Sequence, residues 1–66
     1  MNLKLKMFMF ENKITLERLQ ETSGINLSYI SLHINGKRNF DKNEMKQIAD
    51  GLSEIVNRPV KVSEVF

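Results

Sequence analysis

Asn26-Leu27-Ser28-Tyr29, Ser31-Leu32 and Asn35-Gly36-Lys37-Arg38-Asn39 form the stretch of this chain whose residue types and order point to a chemistry. Amides and hydroxyls there offer short hydrogen-bonding reach, and Lys37 and Arg38 supply positive charge. No acid occurs between Glu21 and Asp41. A surface without carboxylates suits a polyanion, because each acid would repel a phosphate. Bond-making chemistry is not expected. Ser31 and His33 stand two apart on a helix, on nearly opposite sides, so they cannot form a nucleophile–base pair. One histidine and no cysteine leave no ligand set for a closed zinc site. With no carboxylate pair in a plausible pocket and no glycine-rich phosphate loop, neither an enzyme nor a cofactor is expected.

These residues must be positioned by a small scaffold. Sixty-six residues make a single domain, 1–66, and a chain of this size hides only about 60% of its unfolded surface. At 41% hydrophobic and 27% charged it reads as globular, and without cysteine it needs no oxidising compartment. No apolar run approaches the roughly 20 residues of a membrane span. Glu11, Asn12 and Lys13 interrupt any leader-like apolar segment, so a soluble, cytoplasmic domain is expected. The net charge of +2 is too mild to argue for a polyanion by itself; the acid-free stretch says more.

The periodicity predicts helices. Met45, Ile48, Ala49, Leu52, Ile55 and Val56 form one helical stripe, and Asp41 with Glu44 three residues later fits a capping box. A helix over 42–57 follows, stopped by Pro59, with Gly51 as its weak point. Thr15 caps a second helix that Gly24 ends, and Asn26 caps a third from Leu27 to about Asn35, with Gly36 as its left-handed end. Near the N-terminus, Leu5, Phe8 and Met9 fit a helix face while Leu3, Leu5, Met7 and Met9 alternate like a strand. Helix is preferred, because Leu and Met favour it and no β-branched residue precedes Ile14. The end, from Val60 to Phe66, reads as an extended piece or a last short turn.

Two short helices joined at Gly24 make a helix-turn-helix unit over about 15–35, within an all-α, compact four- to five-helix bundle. Leu19 and Ile30 are expected to point into the angle between the two helices, with Ile25 closing the turn. The second of them then exposes Leu27, Ser28, Tyr29, Ser31 and Leu32, followed by Gly36-Lys37-Arg38-Asn39. An α-helix fits the DNA major groove, so this helix can read bases while the following loop clamps phosphate. Tyr29 is suited equally to a phosphate or to stacking on Ile25 and its neighbours.

The chain resembles the Cro and phage-repressor (XRE-like) helix-turn-helix regulators from about Leu5 to Phe66. The resemblance is carried by Ile14-Thr15-x-x-x-Leu19, Gly24-Ile25, Ile30-Ser31, Asn35-Gly36-Lys37-Arg38-Asn39, Ile48-Ala49-x-x-Leu52 and Val60-x-Val62-x-Glu64-Val65-Phe66. It implies five helices, the last at the tail, and transcription regulation by occupying an operator on double-stranded DNA. It also implies base contacts at Leu27, Ser28 and Leu32, and phosphate contacts at Asn26, Asn35, Lys37 and Arg38, with Leu16 at the start of the second helix.

Several positions depart from the family pattern. Leu16 stands where Gln is usual, and Gln20 where a small Ala lets the helices pack, which bears on the interhelical angle. Leu27 and Leu32 cannot hydrogen-bond a base edge, though either can touch a thymine methyl. Met9 and Ile34 replace an Arg–Glu pair and are expected to touch as an apolar substitute for it. The alternative function is a protein-interaction module that binds a partner repressor through the leucines of the third helix. A lone copy would discriminate poorly, so weak homodimers on two-fold DNA are expected. Val60, Val62, Val65 and Phe66 are the leading candidates for that contact, or else they only cover the core of the 42–57 helix; whether Met7 and Phe10 are core, dimer contact or exposed is open.

Overall fold

The computed structural model describes residues 3–66 as five helices: α1 (Leu3–Glu11), α2 (Leu16–Ser23), α3 (Leu27–Ile34), α4 (Lys42–Val56) and α5 (Val62–Val65). The start of the chain is helical, and burial shows why the alternating reading fails. Leu5, Phe8 and Met9 are buried, whereas Leu3 and Met7 lie outside with more than half their surface exposed. A strand would have put all four alternating residues on one face.

The caps are where the residue types place them. The Thr15 hydroxyl accepts from the Arg18 amide, and the Asn26 carboxamide accepts from Ser28. Asp41 and Glu44 each accept from the other's backbone amide, closing the capping box. Gly24 (φ 76°) ends α2 in the left-handed region, and Gly36 (φ 76°) does the same just beyond α3. α4 stops one residue short of 57, because Asn57 itself turns left-handed ahead of Pro59.

The core is one cluster. Leu5, Leu19, Ile30, Ile48, Leu52 and Val65 are fully buried at its centre, with Ile25 closing the α2–α3 turn. α2 lies against α4, and Gly51 faces the end of α2 at close range. A Cβ there would stand 2.9 Å from Thr22 Oγ1 and 3.0 Å from Ser23 Cα. Gly51 is therefore a packing position rather than a weak point.

For the tail, the structure favours core cover over a contact between copies. Val60 and Val65 are buried and Phe66 meets the Phe40 and His33 rings edge-on, so these residues complete the core instead of offering a dimer surface. Of the four apolar tail residues only Val62 is exposed. The return of the chain is held by Ser53, whose hydroxyl donates to Ala49 O and accepts from the Val60 amide, both at 2.8 Å.

Candidate nucleic-acid interface

α3 has two sides of different character. Ile30 and His33 face the core, and Leu27, Ser31 and Ile34 lie at its margins, half-buried. Ser28, Tyr29, Leu32 and Asn35 are exposed. Their spacing of one, three and three residues puts them on one outward face. Asn39 and Lys37, in the loop that follows, are exposed as well. The turn that presents this face is well tied. The Gly24 amide donates to Gln20 O at 2.9 Å, the Ile25 amide to Ser23 Oγ at 3.2 Å, and Gln47 Nε2 to Ser23 O at 3.4 Å.

Gln20 does more than separate the helices. Its side-chain oxygen accepts from the Leu27 amide at 2.8 Å, satisfying one of the orphan donors at the start of α3. A long polar residue thus fits between α2 and α3 by turning toward that helix end, which sequence reasoning missed because it weighed only side-chain volume.

The structure separates the remaining site candidates. Ser28 and Leu32 are accessible for base contact, Leu27 only in part. Asn26 is exposed but spends its oxygen on the Ser28 amide, leaving its NH2 to donate outward. Asn35 Nδ2 reaches Ser31 Oγ at 3.4 Å, so these two polar side chains lean on each other. Leu16 packs against the core and lines a shallow hollow with Lys6, Met9, Ile14, Ser31, Ile34 and Asn35. As a contact its side chain is thus turned inward, leaving only backbone at the start of α2. Met9 and Ile34 both line that hollow.

Arg38 is the main surprise. Its guanidinium lies 4.2 Å from the Tyr29 ring centroid and reaches Glu44 Oε2 at 3.4 Å. The Arg38 guanidinium therefore stacks over the Tyr29 ring. The buried Arg38 Nε has no hydrogen-bond partner among the described residues, so the side chain is not fully satisfied. Glu44 lies outside the acid-free stretch in sequence, yet the capping box of α4 carries it back to Arg38. Lys37 is exposed and makes no ion pair among the described residues.

Beneath this face, His33 stacks on Phe40 with ring centroids 4.4 Å apart, and its Nδ1 lies 3.1 Å from Arg38 O. A carbonyl only accepts, so Nδ1 carries the proton. Burial holds the imidazole below its ordinary value of 6.5, outweighing the Arg38 carbonyl and Glu44, which favour the charged ring. The native state thus binds the proton less readily than the unfolded chain. The stabilising effect is complete above pH ~6.5 and is lost as the pH falls through the lowered native value. Melting curves should therefore show wild type losing more stability than His33→Gln between about pH 7 and pH 5. Parallel pH profiles would remove His33 as the cause.

Among the described residues no group of three or more His, Cys, Asp or Glu side chains is placed to hold a metal, and no helix is long and apolar enough to cross a membrane. Comparison of the chain with protein-family models, curated proteins and solved structures found no match.

Proposed function

We propose that this chain is a sequence-specific DNA-binding regulator of the Cro and phage-repressor type, acting in the cytoplasm by laying α3 in the major groove of an operator. The observation that carries the reading is the outward, acid-free edge Ser28, Tyr29, Leu32 and Asn35, continued by exposed Lys37. Ser28 supplies a hydrogen-bonding reader and Leu32 an apolar one, suited to a thymine methyl. Asn26, Asn35, Lys37 and Asn39 lie at the ends of the helix, where the DNA backbone would flank the groove. Arg38 joins them by leaving Glu44.

Lys37→Ala should weaken binding to all sequences alike and lower the slope of log affinity against log salt by about 0.9. Arg38→Ala should cost less, because Glu44 already neutralises that charge. Glu44→Gln, which retains a capping-box side chain, should tighten binding by freeing Arg38. Substitutions at Ser28 or Leu32 should instead change which sequence is preferred. Fluorescence titrations of mixed and selected duplexes over a salt series measure all of these. If Lys37→Ala/Arg38→Ala binds as well as wild type at ~0.15 M salt, the docking is wrong.

A second reading is favoured by one observation, the exposure of Leu32 and Tyr29 beside an arginine whose charge is already paired. On this reading the same face binds a partner repressor, and wild type shows no salt-dependent affinity for any duplex.

A further inference from the structure

The outer face of α1 carries an apolar stripe that the fold leaves uncovered. Leu3, Met7 and Phe10 are 54%, 57% and 84% exposed. Their spacing of four and three residues stacks them on one side of the helix, opposite Leu5, Phe8 and Met9 in the core. Lys4 and Glu11, seven residues apart, line one edge of the stripe, and Lys6 lies on the other.

We propose that this face pairs with the same face of a second copy, with the two α1 helices antiparallel about a two-fold axis at Met7. The charges along one edge argue for this occupant. Lys4 lies three residues before Met7 and Glu11 four after it. In an antiparallel pair, Lys4 of one copy therefore stands level with Glu11 of the other to within one residue, about 1.5 Å along the axis. The symmetry produces this pair twice. The apolar residues match in the same arrangement: Met7 meets its own copy, and Phe10 lies over Leu3 at each end. A two-fold interface must be self-complementary in this way. Lys4 also donates to Ser63 O at 3.4 Å, and an ammonium has further donors for a carboxylate. The two Lys6 side chains approach each other on the opposite edge and oppose the association.

One nine-residue helix offers less than the roughly 800 Å² per partner of a standard stable interface, so the pairing is weak in solution. It serves best where something else gathers two copies, such as a two-fold site on DNA. The surface itself is argued from α1 alone and does not rest on DNA binding.

The chain has no cysteine, which makes disulfide trapping clean. In a glutathione redox buffer, Met7→Cys should cross-link about tenfold faster than the exposed control Lys46→Cys, since a two-fold at residue 7 brings the two sulfurs together. Leu3→Cys mixed with Phe10→Cys should form the mixed dimer in preference to either symmetric one. On the Met7→Cys background, Glu11→Lys should slow trapping about five- to tenfold, and adding Lys4→Glu should restore most of the rate. Equal rates for Met7→Cys and Lys46→Cys would overturn the pairing, and failure of the charge swap would overturn the antiparallel register. Vesicles of phosphatidylcholine with phosphatidylserine supply the remaining outcome. Binding that Phe10→Lys abolishes, without trapping at position 7, would assign the stripe to a membrane surface and overturn the proposal. None of these readouts involves DNA, so their failure is distinguishable from failure of the operator reading.

Discussion

Gly51→Val is expected to destabilise the fold by about 3 kcal/mol, a large part of what a single core supplies at this size. Two opposed effects decide the result for the smaller substitution, Gly51→Ala. Replacing a glycine inside a helix gains about 0.8–1.0 kcal/mol from backbone entropy. The new methyl, however, would lie 2.9 Å from Thr22 Oγ1 and 3.0 Å from both Ser23 Cα and Cβ. The Thr22 hydroxyl can rotate; the Ser23 backbone cannot yield without moving the end of α2. That end is fixed by the Ser23 Oγ and Gly24 turn bonds, so the helices must separate and the core must loosen. Overpacking of this kind costs about 1–3 kcal/mol, so the net effect of alanine is a loss of about 1 kcal/mol, increasing for valine. Urea unfolding curves measure both. An alanine variant as stable as wild type would show that α2 and α4 can part at no cost.

Ile34→Glu is the second large expectation. Ile34 is half-buried against the core, facing the hollow it shares with buried Met9. A carboxylate placed there loses much of its hydration without a designed partner. Lys6 lines the same hollow and supplies partial compensation at its rim, so the loss should be about 1–3 kcal/mol rather than that of a sealed site. Adding Met9→Arg should recover part of it, because the two charges then meet across α1 and α3. The cycle of two single variants and the double variant isolates the coupling. If the double variant loses the simple sum of the single losses, Met9 and Ile34 do not act as a pair.

What could be read from the sequence follows from how local each cause is. Thr15, Gly24, Asn26, Gly36 and the Asp41–Glu44 box act within a few residues, and each lies where its chemistry requires. The α4 stripe was legible because period and burial coincide over fifteen residues. Non-local features were not legible. Gly51 looked like a flaw in a helix because its partner, Ser23, lies 28 positions away in sequence but in contact in space. Val60, Val65 and Phe66 stayed open between a contact surface and core cover because nothing in their order reveals the rings of His33 and Phe40. The candidate site divides the same way. Its outward face follows from helical periodicity, but the Glu44 carboxylate reaches Arg38 only through the fold. Of the three apolar residues on the outside of α1, only their exposure, read from the structure, separates surface from core.

Lys4 Nζ and Ser63 O lie 3.4 Å apart across 59 residues of chain, where α1 docks against α5. Compare the Gln20–Leu27 bond, which spans seven. Closing the longer loop costs about 2 kcal/mol more in chain entropy, since that cost grows with the logarithm of loop length. The seam between the first and last helices is thus a far costlier ring to close than the turn between α2 and α3. It is rewarded only after α4 has brought the tail round. Joining the ends through a short linker and opening the chain at Asn39 would turn this into a neighbouring contact. A permuted chain of that kind should refold faster in stopped flow while unfolding at nearly the native rate. An unchanged refolding rate would place the ring closure after the main barrier.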